Sequence, residues 1–346
     1  HRSGISVSTH SIYNLIQACA KKKDVEACRR IHSLVISITS SDAQKKTRSF
    51  HVYLIHAFAS CGCLLDANLV FMDVNRPSEC TWSAIISAHI MLESYEMAFF
   101  LYDRMLKEGF QTTKSLFFCV LKARSIAGDL KQGKVMHDQF IAKGIESDVV
   151  SGTRFVDFYA RCGALKEAQR MFDRMDDRNI VSWGALLAGY VQHECGHLAL
   201  ELYEEMQKKA VIPDESILSS SLKACASIGS IRYGFIIHDK VFKFNFESNI
   251  VLGNSLIDMY AKCGSLVDAR KVFETLPNRS VVSWASMLAG HVIDGDGFVA
   301  FDLYMNMEQE GITPTKFVIS SVLKACGQMC SLYHGKLLHS YAIELG

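Results

Sequence analysis

Proline is scarce in this chain, with only four among 346 residues, and no Ser-, Gly- or Pro-rich segment forms a flexible linker. No apolar run approaches the roughly 18 residues that a membrane-spanning helix needs, so we expect no membrane partner. Neither sign of charge dominates, because 37 Lys and Arg balance 36 Asp and Glu. The net charge of +1 lacks the positive excess of many nucleic-acid-binding domains. Composition predicts a core-forming chain and does not by itself indicate RNA.

Signatures of catalysis and of metal binding are also missing. The zinc-deaminase signature, His-x-Glu followed by Pro-Cys-x-x-Cys, does not occur, and no nucleophile has an evident base. Residues 193–197 (HECGH) contain possible zinc ligands without a second cluster nearby. Residues 294–297 (DGDG) resemble the start of a calcium loop, but Met305 occupies the position of the required glutamate. We expect both runs to be turns, and the segment to have no cofactor, metal, small-molecule substrate or enzyme activity.

The sequence does have a long internal period. Three columns recur every 101 residues, one of tryptophan, one of cysteine followed by glycine, and one of histidine. They are Trp82, Trp183 and Trp284, then Cys61, Cys162 and Cys263, then His137, His238 and His339. A fixed period predicts a stack of similar repeats rather than one large core.

Within each period, the chain divides into repeats of 35, 35 and 31 residues. The predicted array is 9–47, which has four extra residues, then 48–78, 79–113, 114–148, 149–179, 180–214, 215–249, 250–280, 281–315 and a truncated 316–346. Because the last repeat stops short, we expect the protein to continue beyond Gly346. Since the first residue is His1 rather than Met, a targeting peptide is either already removed or outside this sequence.

The apolar spacing within the repeats is helical. Leu64, Ala67, Phe71 and Val74 follow a 3-4-3 step that puts them on one helix face, and the same step recurs 101 and 202 residues later. Each glycine after the cysteine column is expected to end a first helix in the left-handed conformation. No segment predicts a strand. The sequence therefore predicts an all-α fold, a right-handed α-solenoid superhelix of helix-turn-helix repeats with a concave side.

The cysteine and histidine columns have a structural interpretation. Twelve cysteines in so long and apolar a chain are better explained as small packing residues than as disulfide partners. The cysteines of the column, at apolar helix ends, are expected in the core. His32 and the histidine column occupy one fixed helix position, which predicts a shared packing or capping role.

Three segments carry a family resemblance. Residues 181–214 (VSWGALLAGYVQHECGHLALELYEEMQKKAVIPD) and 252–280 (LGNSLIDMYAKCGSLVDARKVFETLPNRS) resemble the long and short motifs of plant pentatricopeptide repeat proteins of the PLS subclass. Residues 222–243 (LKACASIGSIRYGFIIHDKVFK) resemble its L motif. The match covers residues 9–346. Tetratricopeptide repeats, which bind peptides, have a uniform unit of about 34 residues, and the 35-35-31 alternation argues against them.

The resemblance implies a class for each repeat and a role for the chain. It makes 9–47, 114–148, 215–249 and 316–346 L repeats, 48–78, 149–179 and 250–280 S repeats, and 79–113, 180–214 and 281–315 P repeats. It implies a chloroplast or mitochondrial protein that binds single-stranded RNA, often to direct cytidine-to-uridine editing with accessory proteins. In the family, each P or S repeat recognises one base with residue 5 of its first helix and its last residue.

Helical steps of three and four place positions 2, 5, 9 and 13 of a first helix on one stripe, which we expect to line the concave surface. The base-recognising pairs so implied are Thr153 with Asn179, Asn254 with Ser280, Ser83 with Thr113, Gly184 with Asp214, and Ala285 with Thr315. The first pair resembles an adenine pair and the second a cytosine pair. Free variation of an exposed column also explains position 5, and capping of the next helix explains the last residues, including Thr47.

The same stripe supplies further candidate contacts. By the resemblance, the valines at position 2 sandwich the bases: they are Val150, Val181, Val251 and Val282. Cations at positions 9 and 13 suit phosphates: they are Lys122, Lys223, Lys324, Arg161 and Lys262. Ordinary packing of a helix start is the alternative for the valines, and solvation at the surface is the alternative for the cations.

The sequence thus predicts a sequence-preferring binder of single-stranded RNA that is not an enzyme in this segment. It would be the recognition part of an organellar RNA-editing or RNA-processing factor. The alternative is a protein-binding helical scaffold in an organellar ribonucleoprotein complex.

Overall fold

The structure, a computed structural model, describes residues 9–39, 44–142 and 148–344, and every regular element in these ranges is a helix. In chain order they are α1 Thr9–Lys22, α2 Val25–Thr39, α3 Gln44–Ser60, α4 Leu64–Met72, α5 Glu79–Met91, α6 Tyr95–Lys107, α7 Lys114–Ile126, α8 Leu130–Ala142, α9 Val149–Arg161, α10 Leu165–Asp173, α11 Ile180–Gln192, α12 Gly196–Lys208, α13 Glu215–Ile228, α14 Ile231–Lys243, α15 Ile250–Lys262, α16 Leu266–Thr275, α17 Val281–Asp294, α18 Gly297–Gln309, α19 Lys316–Gln328 and α20 Leu332–Glu344. The all-α prediction is confirmed.

The chain forms two compact units, residues 1–146 and residues 147–346. In each unit, an odd-numbered helix packs against the even-numbered helix that follows it, which makes a hairpin. Within each unit, successive odd-numbered helices also pack against each other, as α1 does on α3 and α13 does on α15. The odd-numbered helices are therefore the first helices of stacked hairpins and form one layer of each unit.

Polar caps set where most first helices begin. Eight residues precede a first helix and accept a hydrogen bond from the backbone N–H three residues later: Ser78, Thr113, Asp148, Asn179, Asp214, Asn249, Ser280 and Thr315. Such a cap satisfies one of the unpaired donors at a helix start. The capping prediction is confirmed for these eight. It is wrong for Thr47, because α3 begins at Gln44 and includes that residue.

The turns follow the sequence closely. Gly62, Gly163 and Gly264 have φ angles of 78°, 75° and 80°, the left-handed conformation predicted to end the first helix. Residues 193–195 form the turn between α11 and α12. In the DGDG run, Gly295 has φ 88°, and Asp296 caps α18 by accepting from the N–H of Val299 at 3.2 Å. Both runs that resembled metal sites thus contain the turn between the two helices of a hairpin.

The tryptophan column lies in the core between successive hairpins. Trp82, Trp183 and Trp284 are at most 3% exposed. Each packs in an edge-to-face contact on a phenylalanine of the preceding second helix, with ring centroids 4.7–4.8 Å apart. These phenylalanines belong to the predicted 3-4-3 face and are Phe71, Phe172 and Phe273. Aromatic pairs in this geometry add about 0.5–1.5 kcal/mol to the effect of burial alone.

The cysteine and histidine columns are partly as expected. Cys61, Cys162 and Cys263 are only half-buried, because they lie at the ends of first helices beside solvent. The expectation that they lie in the core is therefore wrong.

His238 has a structural role, because its Nδ1 lies 2.8 Å from the Tyr260 hydroxyl. Burial lowers the pKa of His238 and raises that of Tyr260, which keeps both groups neutral.

None of the helices in the described ranges combines the length and the apolar character needed to cross a membrane.

Candidate nucleic-acid interface

A column of exposed valines marks one face of the first helices in the second unit. Val150, Val181, Val251 and Val282 are 53–61% exposed, although the residues that follow them are buried. A valine with more than half of its surface in solvent contributes little to the packing of the helix start. The structure therefore does not support the alternative that these valines pack the helix start. Phe317, at the same position of the last repeat and 61% exposed, extends the column. Its place at position 2 could have identified it from the sequence.

One predicted pair is joined directly. The Nδ2 of Asn254 donates to the Oγ of Ser280 at 3.3 Å, and the Oγ of Ser283 donates to the Oδ1 of Asn254 at 2.6 Å. Ser280 caps α17 while Asn254 lies in α15, so the contact connects neighbouring first helices. Both residues are half-buried. The amide retains a second N–H and a second lone pair on its oxygen, so it can still bind a base edge.

The other strongly expected pair is arranged differently. Thr153 is only 7% exposed, and its Oγ1 donates to the carbonyl of Val149 at 2.7 Å. The expectation that this hydroxyl faces the concave surface is therefore corrected, because threonine in a helix can bond the carbonyl four residues back. Asn179 remains exposed and caps α11 by accepting from the N–H of Ser182 at 2.9 Å. Asn179 carries the polar group of this pair that solvent can reach.

The remaining pairs keep their last residues at the surface. Thr113, Asp214 and Thr315 are exposed, while their partners Ser83, Gly184 and Ala285 are half-buried. An added Cβ at Gly184 would make an ordinary van der Waals contact, 3.6 Å from the nearest atom of Ile217. The pair of Gly184 and Asp214 thus has a single polar side chain.

An open depression of about 440 Å³ lies beside α13 and the start of α15. It is lined by Asp214, Glu215, Ser216, Ser219, Ser220, Lys223 and Val251. Three predicted residues of different roles meet there: Asp214, the last residue of its repeat, Lys223, the cation at position 9, and Val251, the valine at position 2. Sequence reasoning missed Ser219, the position 5 residue of an L repeat.

The hydrogen bonds of Ser219 fix what it offers to a ligand. Its Oγ lies 2.9 Å from the Oγ of Ser255, whose own proton is donated to the carbonyl of Val251 at 2.9 Å. Ser219 must therefore be the donor to Ser255, which leaves lone pairs on the Ser219 oxygen. Together with the carboxylate of Asp214, the depression presents acceptors beside the ammonium of Lys223.

The candidate phosphate contacts fall into two groups. Lys122, Lys223 and Lys324 are exposed, and none of them forms an ion pair with another residue that the structure describes. Arg161 and Lys262 are bound to carboxylates one helical turn earlier, Asp157 at 2.9 Å and Asp258 at 2.8 Å. The two groups differ because an aspartate stands four residues before each of these position 13 cations. The position 9 lysines are the better candidates.

Within the described ranges, no group of three or more His, Cys, Asp and Glu side chains is arranged to hold a metal ion.

Family models match much of the chain. The model described as PPR repeat matches residues 80–110, 153–180 and 254–281. The PPR repeat family matches residues 178–227, and the pentatricopeptide repeat domain matches residues 278–329. Together these matches cover just over half of the sequence.

Relatives with curated descriptions agree. A chloroplastic pentatricopeptide repeat-containing protein of Arabidopsis thaliana is 31% identical over 95% of this chain and 52% of its own length. A mitochondrial one from the same plant is 32% identical over 85% of this chain and 29% of its own length. The chain thus spans about half or less of these relatives.

A solved structure supports the fold. The crystal structure of the pentatricopeptide repeat protein PPR10 in complex with an 18-nt psaJ RNA element matches with a TM-score of 0.76. The match covers 99% of this chain and 52% of that one at 16% identity, which confirms the predicted α-solenoid of helical hairpins. From the repeats, the fold and these matches together, the chain belongs to the pentatricopeptide repeat family.

Proposed function

We propose that this chain binds single-stranded RNA along the exposed face of its first helices. The observation that carries the proposal is the column of four exposed valines in the second unit, set beside the half-buried amide of Asn254 at position 5 and the exposed polar caps Asn179 and Asp214. Valine side chains can hold a base flat without selecting it, while the polar groups bind its edge. PPR10, which shares the fold, was crystallised with an RNA element.

Each P or S repeat recognises one base in this proposal. The pair of Asn254 and Ser280 selects cytosine, and Asn179 selects adenine on its own, because the buried hydroxyl of Thr153 stays bonded to the carbonyl of Val149. Asp214 acts without a side chain at Gly184, and the pairs of Ser83 with Thr113 and Ala285 with Thr315 select weakly. The support is local: a position 5 amide bonded to the last residue of its own repeat at 3.3 Å.

Phosphates bind the cations of the same face. Lys122, Lys223 and Lys324 are exposed at one fixed position of three L repeats. Their regular spacing supplies charge along the path of the strand even though the whole chain carries a net charge of only +1. Arg161 and Lys262 contribute less, because each is already paired with an aspartate.

The biological setting follows from the family. We assign the chain to the PLS subclass, on its alternation of 35- and 31-residue repeats, and to a chloroplast or mitochondrion, the compartments named for two of its relatives. Its role is to bring an RNA-editing or RNA-processing machine to its site, with accessory proteins as partners. In this proposal the segment itself is not catalytic.

The test compares two valine substitutions in binding measurements by fluorescence anisotropy at low salt. Val181→Ser with Val251→Ser removes two of the exposed face valines. Val267→Ser is the matched control, because Val267 is 70% exposed but lies on the second helix α16. The proposal expects the face variant to bind a labelled single-stranded RNA pool at least several-fold more weakly, and the control to bind like the parent. No RNA binding by the parent chain would refute the proposal.

One observation favours the scaffold alternative. Helix α4 exposes Leu65, Leu69 and Met72 by 82%, 57% and 75%, where the S repeat 149–179 has Lys, Arg and Asp. An exposed apolar face of this kind suits a protein partner. Replacing the three by Lys, Arg and Asp leaves RNA affinity unchanged if the face serves a protein. A loss of RNA affinity would instead assign this face to RNA.

A further inference from the structure

Two tyrosines meet on the first-helix layer of the first unit. Tyr13 in α1 and Tyr53 in α3 have ring centroids 4.7 Å apart and an interplanar angle of 73°. Tyr53 is 39% exposed and Tyr13 is half-buried. In an edge-to-face pair, only one face of one ring is used by the contact. The pair therefore leaves aromatic surface open to solvent.

The second unit has a polar pair at the equivalent positions. Tyr13 is residue 5 of an L repeat and Tyr53 is residue 6 of the following S repeat; Ser219 and Ser255 hold the same two positions. The two serine hydroxyl oxygens are 2.9 Å apart, so the same contact between neighbouring first helices occurs in both units. Ser219 lines the depression beside α13, which places this contact on the face proposed to bind RNA.

The surroundings of the tyrosines suit a nucleotide. Tyr13, Gln17 and Lys21 follow one another at four-residue steps along α1, and so share a helix face. The Nε2 of Gln17 donates to the Tyr13 hydroxyl at 2.5 Å, which holds the ring in place. Lys21 is exposed in the last turn of α1. An aromatic surface next to a cation is the combination that binds single-stranded nucleic acid without base preference.

We propose that Tyr13 and Tyr53 form a stacking platform for one unpaired base, and that Lys21 binds a phosphate beside it. The proposal rests on the proposed RNA-binding function and adds a contact of a different kind. The base is held by its flat face, which all four bases share, so the platform increases affinity without selecting sequence. The first L and S repeats then contribute to binding where the base-recognising pairs are absent.

The experiment measures affinities of the full chain for oligo(A), oligo(C) and oligo(U) of equal length. The variant Tyr13→Ser with Tyr53→Ser installs the serine pair that the chain already uses at residues 219 and 255, so the local packing has a precedent. Tyr13→Phe with Tyr53→Phe keeps both rings. Tyr95→Ser, which removes a half-buried tyrosine from the second helix α6, is the control for loss of an aromatic residue elsewhere. Circular dichroism verifies that each variant is folded.

Loss of one stacked base lowers affinity by about 5- to 150-fold. We expect a loss in that range for the serine pair, by a similar factor for all three oligonucleotides, and affinities within twofold of the parent for the phenylalanine pair and Tyr95→Ser. A serine pair that binds like the parent overturns the platform and leaves the RNA-binding proposal standing. A loss confined to one base also overturns it. Failure of the parent chain to bind any oligonucleotide refutes the underlying function and the platform with it.

Discussion

The side-chain amide of Asn254 donates a hydrogen bond to the hydroxyl of Ser280 at 3.3 Å, although 26 residues separate them. Ser283, in the first turn of α17, donates a hydrogen bond to the amide oxygen of Asn254 at 2.6 Å. The residue proposed to meet a base is thus held by the residue that caps the following first helix. A side chain restrained in this way loses less entropy when a ligand binds, so the pair is preorganised for recognition.

The contribution of Asp214 as a helix cap can be measured separately from its proposed contact with a base. Its Oδ1 accepts from the backbone N–H of Ile217 at 2.9 Å and so caps α13. We expect Asp214→Ala to lower the free energy of unfolding by about 1 kcal/mol, since alanine cannot cap, and Asp214→Ser to retain most of it. Urea unfolding measures the difference. Equal stability of the two variants would show that the cap contributes little.

Close helix packing predicts an unequal effect of alanine at two glycines of α11. A Cβ on Gly189 would lie 2.4 Å from the Cβ of Ala160, whereas one on Gly184 has no atom closer than 3.6 Å. Overpacking of this kind costs about 1–3 kcal/mol. We expect Gly189→Ala to lower the melting temperature clearly and Gly184→Ala to leave it unchanged or raise it. Thermal unfolding followed by circular dichroism checks both, and a tolerated Gly189→Ala would contradict the packing described for α9 and α11.

Salt dependence distinguishes the two groups of cations. Replacing Lys122, Lys223 or Lys324 by alanine should reduce the slope of log affinity against log salt by about 0.7 each, the value for one phosphate contact in single strands. Lys262→Ala should change the slope less, because its ammonium is bound to Asp258 at 2.8 Å. Titrations at several salt concentrations give the slopes. Unchanged slopes for all three lysines would remove them from the RNA path.

Acid should destabilise the fold through its buried histidines. Burial lowers the pKa of His89, His238 and His291 below the usual value of 6.5. The unfolded chain therefore binds more protons near that pH, and the stability contributed by these neutral rings is present above pH 6.5 and falls as the pH drops below it. We expect a lower free energy of unfolding at pH 5.5 than at pH 7.5.

His291 offers a test of that origin, since it is 8% exposed and neither ring nitrogen has a hydrogen-bond partner in the described structure. His291→Leu should make the loss of stability between pH 7.5 and 5.5 smaller. A loss as large as in the parent would assign the acid sensitivity to other groups.

Much of the architecture could be predicted from the sequence because it depends on local rules repeated many times. The 3-4-3 apolar step placed Phe172 on the buried face of its helix, and Gly163 ended α9 as predicted. The caps at Asn179 and Ser280 were predicted because only small polar residues occur there. The start of α3 was not predicted correctly, because four extra residues in the first repeat break the pattern used to align the repeats.

The candidate site was only partly predictable. Exposure of Val181 follows from its position in the repeat, but the burial of Thr153 depends on its rotamer and on the carbonyl of Val149, which no spacing reveals. Whether the Ser219 hydroxyl donates or accepts likewise depends on Ser255, a neighbour in another helix. Contacts that cross between repeats, such as that of Tyr13 with Tyr53, need coordinates because their sequence separation differs between the two units.

In the proposed mode of binding, polar pairs on the first-helix face choose the bases of a bound strand. This is tested by selecting bound sequences from a random single-stranded RNA pool, for the parent and for Asn254→Thr with Ser280→Asn. We expect the parent to enrich a defined sequence and the variant to change one position of it from cytosine towards adenine, a shift of about 1–3 kcal/mol. Identical enriched sequences for both proteins, or no enrichment at all, would contradict this mode of binding.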